Sequence, residues 1–453
     1  MGFAVVRTSR EFVRPSAATP SSGEPLELSI IDRVVGLRHL VRSLHIFAPT
    51  SGAVGGEDDV DAAARPSSPA SVIKEALGKA LVDYYPFAGR FVDGDGGPGS
   101  ARVECTGEGA WFVEAVAGCS LDDVNRLDHP LMIPEDDLLP DAAPGVQPLD
   151  LPLMMQVTEF SCGGFVVGLI SVHTLADGLG AGQFINAVGD YARGLDRPRV
   201  SPIWAREAIP SPPKLPPGPP PELKMFQLRH VTVDLSLDSI NKVKSSYFTS
   251  TGHRCSTFDV AIAKTWQART RSLRLPDPSS RVNLCFFANT RHLMAGAAWP
   301  DGGNGGKGFY GNCFYPVSVV AESGAVEAAD VAGVVGMIRE AKARLPADFA
   351  RWAVADFKED PYELSFTYDF LFVSDWTRLG FLEADYGWGT PSHVIPFAYY
   401  PFMAVAIIGA PPVPKTGARI MTQCVEDEHL PAFKEEIKAF DKDGEIFAET
   451  GDL

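Results

Sequence analysis

Leu153-Met-Met-Gln-Val-Thr-Glu-Phe-Ser-Cys-Gly-Gly-Phe-Val-Val-Gly-Leu-Ile-Ser-Val-His-Thr-Leu-Ala-Asp-Gly178 reads as two strands and the mouth of a helix. The apolar runs Leu153–Phe160 and Phe165–Val172 are joined by Ser161-Cys-Gly-Gly164, a hairpin signal. From Gly178 a run of small and apolar residues continues to Arg193 and meets Gly194, a helix with its stop. Strand, strand and helix in that order point to sheet-and-helix layers rather than a bundle. His173 falls where the second strand ends. A strand holds such a residue rigidly while leaving its side chain free to quit the core, which is how scaffolds present reactive groups.

The same alternation continues outward. Ser68-Pro69 supplies an N-cap and a first-turn proline ahead of apolar residues from Val72 to Ala80. Residues 101–116 alternate in short strand-like runs. In the second half Ser256-Thr-Phe-Asp259 opens a helix, in the manner of a capping box, that reaches about Leu273. Arg281–Asn289 and Gly417–Val425 read as strands, Val326–Ala343 and Leu430–Phe440 as helices. Residues 208–221 carry so many prolines that no helix or central strand survives there, which makes them an extended connector. The 453 residues thus divide into a first domain, 1–205, a connector, 206–221, and a second domain, 222–453. Each half is long enough to bury its own core. Residues 49–68, 93–100 and 300–308 read as surface loops, and no repeat of 20–50 residues suggests a solenoid or propeller. The expected fold class is α/β, each half a mixed sheet flanked by helices.

Composition narrows the function. The chain has 57 Asp+Glu against 40 Lys+Arg, a net charge of -17, which argues against nucleic acid and anionic lipid as partners. At 45% hydrophobic and 21% charged residues it has the makings of a core, so wholesale disorder is excluded. No apolar run approaches a membrane span, the first residues lack a signal-peptide core, and Val6 stands where a myristoylation motif wants Ser or Thr. Seven scattered cysteines without a CxxC read as buried thiols of a reducing compartment, so a cytoplasmic protein is expected. No His or Cys pair has metal-ligand spacing, and no metal is expected.

Two constellations carry chemistry. A His-x-x-x-Asp spacing occurs at His173/Asp177 and at His230/Asp234, against roughly 0.6 matches expected by chance, so spacing alone does not choose between them. The second pair lies inside a strand-like run with no glycine turn beside it. His173 reads either as a general base or as a satisfied core histidine. Asp385-Tyr-Gly-Trp-Gly389 sets two glycines around a tryptophan in a short loop, either a functional turn or a loop anchored by an aromatic.

His173-Thr-Leu-Ala-Asp177-Gly178, followed about 200 residues later by Asp385-Tyr-Gly-Trp-Gly389, resembles the motif pair of the plant BAHD acyltransferases, which transfer acyl groups from CoA thioesters. Leu28-Ser-Ile-Ile-Asp32, Tyr85-Pro-Phe-Ala-Gly-Arg90, Asn289-Thr-Arg291 and Tyr310-Gly-Asn312 match in family order over nearly the whole chain. Tyr386 stands where the family usually has Phe. Within the family, Pro202-Ile-Trp-Ala-Arg-Glu207 and Asp32–Arg38 look like the branch of alcohol benzoyl- and taxane acyltransferases. Met1–Arg7, the connector and the glycine-rich loops are similar to grass p-coumaroyl-CoA:monolignol transferases.

The resemblance implies a two-domain, chloramphenicol-acetyltransferase-like fold with a solvent channel between the halves. It implies transfer of a hydroxycinnamoyl group from p-coumaroyl-CoA, a co-substrate rather than a bound cofactor, to a monolignol by a monomer. Other BAHD donors and acceptors, or a non-catalytic binding relative, are the alternatives. It makes His173 the general base, acting without an acyl-enzyme. Asp177 and Gly178 become part of the turn, with Asp177 paired to Arg291, and Asp385, Tyr386, Gly387 and Gly389 a structural motif. Trp388 either donates its N–H to the oxyanion or supports the channel. Ser29, Asp32 and Thr390 are expected along the channel. For the CoA phosphates, residues 222–275 hold nine Lys/Arg against four Asp/Glu. The candidates there are Ser256 and Thr257 at a helix start, with Lys244, Arg254 and Lys264. A solvated basic helix face is the bland reading of the same charges.

Overall fold

The hairpin forms as its sequence requires, Leu153–Phe160 and Phe165–Val172 pairing antiparallel with Leu153 opposite Ser171 and Glu159 opposite Phe165. A computed structural model describes residues 3–20, 23–49, 68–94, 97–213, 223–294, 308–397, 400–440 and 446–448. The connector from 214 to 221, the loop 50–67 and most of the glycine-rich loop, 295–307, lie outside the described residues. Residues 93–100 belong in part to a two-stranded hairpin, Arg90–Gly94 with Gly97–Glu104.

Packing divides the chain into two units. One comprises residues 1–209, 294–313 and 378–398, the other 210–293, 314–377 and 399–453. The division departs from the cut at the connector. Two stretches of the second half, one of them carrying Asp385–Gly389, pack with the first. Among the described residues the first unit holds a six-stranded sheet in the order Val5–Val13, Ala110–Ala117, Leu153–Phe160, Phe165–Val172, Leu40–Phe47, His393–Phe397. Its last strand reaches back about 350 residues, His393 lying opposite Ile46. Linear domain reading misses such a crossover because nothing local in a five-residue strand names its partner.

The backbone of residues 379–385 approaches the helix Gly178–Ala192 at unusually close range. The glycines of the helix are the reason. A methyl group built on Gly182 would lie 1.7 Å from the Leu379 carbonyl oxygen, and one on Gly189 would lie 2.6 Å from that of Asp385. Only a bare helix surface admits the backbone of 379–385 there.

The second unit carries a sheet ordered Phe314–Glu322, Arg281–Asn289, Phe370–Asp375, Val405–Gly409, Gly417–Glu426, Leu228–Ser236, Ile446–Ala448. Through its core runs the helix Thr257–Leu273, whose Val260, Ile262 and Trp266 are buried with Leu284, Ile408 and Ile420. Ser256 caps it with the full capping box. The helix expected over Val326–Ala343 is instead two, Ser323–Ala328 and Val331–Ala353, because Asp330 caps a new start through Gly333 N–H. Among the described residues no helix is long and apolar enough to cross a membrane.

The glycine contacts make a paired expectation. Gly182→Ala forces backbone apart and costs stability at or above the usual overpacking range of about 1–3 kcal/mol. Gly336→Ala, inside the helix Val331–Ala353 with nothing within 4 Å of a new methyl, gains about 0.4–1 kcal/mol. Thermal melts of the two variants should move in opposite directions.

Candidate active site

The site is built at the end of the strand Phe165–Val172. His173–Leu175 make one turn of 3-10 helix before Gly178 begins the longer one. Besides the 3-10 bond from Ala176 N–H to the His173 carbonyl (3.3 Å), two buried side chains take the carbonyls of this turn. Asn312 donates from Nδ2 to the carbonyls of His173 (3.1 Å) and Thr174 (3.0 Å). Arg206 donates from Nη2 to that of Leu175 at 2.7 Å and from Nη1 to that of Tyr310 at 2.8 Å. Both hang on one carboxylate. Asp32 Oδ1 accepts from Asn312 N and Nδ2 (3.0 and 2.8 Å), and Oδ2 accepts from Arg206 Nε, Ser29 N and Ser29 Oγ, each at 2.9 Å.

Asp32 is 1% exposed and Ser29 7%. Their hydrogen bonds are turned inward on the turn that carries His173, a different place from the channel lining expected of them. Asp177 likewise works on backbone. Its Oδ1 accepts from Gly180 N as the helix N-cap and its Oδ2 from Cys313 N, both at 3.0 Å. With both oxygens engaged this way, Asp177 holds the turn. Arg291 sits in the second unit, buried, opening a short turn with its backbone N–H on Asn289 Oδ1.

His173 is partly exposed. Burial holds its imidazole below the ordinary value of 6.5, while its own carbonyl, the charge of Asp177, Asn312 and the charge of Asp32 pull it back up. The ring is therefore neutral at neutral pH, the form that accepts a proton. Beside it lies a residue the sequence reading passed over. The His39 ring centroid is 5.2 Å away, tilted by 45°. The signal was available in principle, since an antiparallel partner strand puts one residue directly opposite another, but the pairing of the two strands was not.

Trp388 is placed elsewhere. Its ring packs edge-on against Phe165, centroids 5.7 Å apart, and Phe165 begins the strand that His173 follows. Eight residues at about 3.3 Å each put the two ends on the order of 25 Å apart. That separation removes the oxyanion-donor reading of Trp388. Thr390 is exposed on the same loop, so it too belongs at this far end rather than beside His173. Asp385 organises the loop, its Oδ1 accepting from Gly387 N (2.8 Å) and Gly389 N (3.0 Å), with Arg193 3.7 Å from Oδ2. Gly387 and Gly389 both have positive φ, 107° and 85°, as that turn requires. Tyr386 packs on Phe47 and is buried, but its hydroxyl finds no partner, and burial raises its phenol well above the usual value. Cys162, in the hairpin turn at this end, accepts from Leu121 N at 3.4 Å.

In the second unit Lys244 Nζ donates to Thr257 Oγ1 at 2.8 Å beside the Ser256 cap, and Arg254 is exposed just before it. These four gather at the helix start. Lys264 does not join them. It is 3% exposed about 10 Å along the helix, 4.0 Å from Glu436, with burial lowering it to about 8. Arg269 is also interior, donating to the carbonyls of Cys424 and Tyr368. The basic balance of 222–275 is thus partly internal wiring. Among the described residues no group of three or more His, Cys, Asp or Glu is placed to hold a metal ion.

Known proteins give the arrangement its context. The sequence model described as the Transferase family matches residues 3–440. Acyl transferase 4 of Oryza sativa subsp. japonica is 90% identical, over 98% of this chain and 100% of that one. A protein of Crocosmia x crocosmiiflora named myricetin 3-O-glucosyl 1,2-rhamnoside 6'-O-caffeoyltransferase AT2 is 39% identical, over 97% and 100%. The crystal structure of F. sporotrichioides TRI101, complexed with coenzyme A and T-2, has the same fold, with a TM-score of 0.71 at 17% identity over 93% of this chain and 99% of that one.

Two substitutions check the placement of the second motif. Tyr386→Phe removes a buried hydroxyl that has no partner, whose desolvation costs about 1–3 kcal/mol, and raises the melting temperature. Trp388→Phe lowers it but leaves turnover intact. A loss of about 10²-fold or more in kcat with an unchanged melt would restore the oxyanion role.

Proposed function

The chain belongs to the Transferase family of BAHD acyl-CoA-dependent acyltransferases, and on that premise we propose that it moves a hydroxycinnamoyl group, p-coumaroyl foremost, from coenzyme A to the primary alcohol of a monolignol. The observation that carries the reading is His173, a neutral and partly exposed imidazole at a strand end, on a turn whose carbonyls are held by buried side chains. The family supplies the thioester, and an imidazole so held supplies the base it needs. A thioester is already activated, so the hydroxyl attacks it directly once His173 takes its proton. No covalent acyl-enzyme is required, and Cys162 at the opposite end of the strand is no nucleophile for it.

For the CoA phosphates we place Ser256, Thr257, Lys244 and Arg254, where a helix start offers N–H groups and the adjoining cations oppose an acidic chain. Support for a hydroxycinnamoyl donor comes from the Crocosmia relative, whose name gives a caffeoyl transfer. The same name, with its glycoside acceptor, makes a sugar hydroxyl the second acceptor class to try. We take the working form to be a cytoplasmic monomer.

The test is a donor-by-acceptor matrix read as free thiol. Incubation with p-coumaroyl-CoA and coniferyl alcohol should release coenzyme A, and His173→Ala should lose about 10²–10⁴ in kcat. Because burial favours the neutral ring, the acid limb of kcat/KM should lie below 6.5, with activity retained as pH rises above it. Faster release with a benzoyl donor, or with a glycoside acceptor, would move the substrate assignment within the family. No release with any phenylpropanoid donor would overturn it.

A further inference from the structure

The register of the first sheet sets a second imidazole against the base. Leu40 lies opposite Val172, so the next residues outward, His39 and His173, are cross-strand neighbours. His173 N–H donates to the His39 carbonyl at 3.1 Å, which ties the two backbones together at that point. The rings follow, 5.2 Å apart between centroids. His39 is itself pinned, its Nδ1 2.7 Å from the Gly36 carbonyl. That bond requires a proton on Nδ1, which in the neutral ring fixes the Nδ1–H tautomer. On the next turn Thr174 Oγ1 donates to the Leu37 carbonyl at 3.1 Å, so the segment 36–39 is fastened to the turn that carries His173 at two places.

We propose that His39 is a positioning residue for His173: its neutral ring seats the base at the strand end and screens it from water on that side. The proposal rests on His173 acting as the base. In the reaction the acceptor O–H bond breaks and its proton goes to His173. The oxygen then bonds to the thioester carbon, the C–S bond breaks, and the departing thiolate takes the proton back from the imidazolium. His39 exchanges nothing. Burial and the neighbouring His173 hold it at about 4, so His39 stays neutral over the working range and takes no part in the proton transfer. The charged groups acting on His173 are Asp177 and Asp32, both favouring protonation, the latter ion-paired with Arg206. The charge that acts on His39 is that of protonated His173. What keeps His173 neutral against two carboxylates is exclusion of water, and the His39 ring is part of that exclusion.

The experiment follows the imidazoles of the full chain, labelled with ¹⁵N-histidine, by NMR through a pH titration, with the His173 signal identified by its absence in His173→Gln. His39→Ala should admit water, stabilise the protonated ring, and move the His173 titration up by about half a pH unit or more toward 6.5. His39→Phe, which keeps an aromatic ring and has no nitrogen to titrate, should hold it near the parent's position. The acid limb of kcat/KM should follow the same order. If His39→Ala melts early, His39→Gln, with no ring, should show the same rise. A folded His39→Ala or His39→Gln protein whose His173 titrates where the parent's does overturns the proposal. The NMR readout needs no substrate. A shifted titration in a chain that transfers no acyl group would sink the functional reading and leave the pairing standing.

Discussion

One buried ion pair holds the turn of His173. Asp32 and Arg206 are 174 residues apart in sequence and meet at 2.9 Å with almost no exposure on either side. Two charges in such a place are tolerable only when every remaining lone pair and proton is used. Here they are used on the turn of His173, through Asn312 to the carbonyls of His173 and Thr174 and directly to that of Leu175. Breaking one partner would leave the other charge buried, at a cost of about 3–5 kcal/mol. The position of His173 is thereby coupled to the stability of the unit. A substitution that loosens the turn also threatens the fold, which keeps the imidazole in one place.

The parts of the site that were legible in the sequence are the local ones. A strand that ends in His and hands over to a small-residue helix through Asp is written in a dozen consecutive residues, and His173 with Asp177 could be read there. The Ser256 capping box was legible for the same reason. Roles that depend on pairing across distance were not. Asp32 was singled out for the channel, yet it contacts Asn312 from 280 residues away and serves the interior. Trp388 followed His173 in the motif order, but order along a chain does not say which end of a strand a loop will cover. His39 needed the register of two strands, and Lys264 needed to be known as lying on a helix whose every face is buried. Counting charges over 222–275 treats all of them as solvated, which Lys264 and Arg269 are not.

At the level of the fold, strands and helices were recovered largely because their signals are short-range periodicities and caps. The helix expected as one piece over Val326–Ala343 shows the limit: the apolar pattern runs on past Asp330, whose side chain caps the start of a second helix there. The division into units failed at a deeper level. Proline density marks where a chain cannot be regular, but not where its later segments return.

That return shapes how the protein must be made. The strand His393–Phe397 closes the first sheet against Leu40–Phe47, and the backbone around Leu379 covers the bare glycine face of Gly178–Ala192. During synthesis, at about 5–20 residues per second, the ribosome has released the first half of the chain well before either covering segment exists. For that interval the nascent chain shows an unpaired strand edge of Leu40–Phe47 and an uncovered helix. A fragment ending at the proline connector would be left in that state permanently. The first unit is therefore completed only once residues 379–397 have been made and have returned to it.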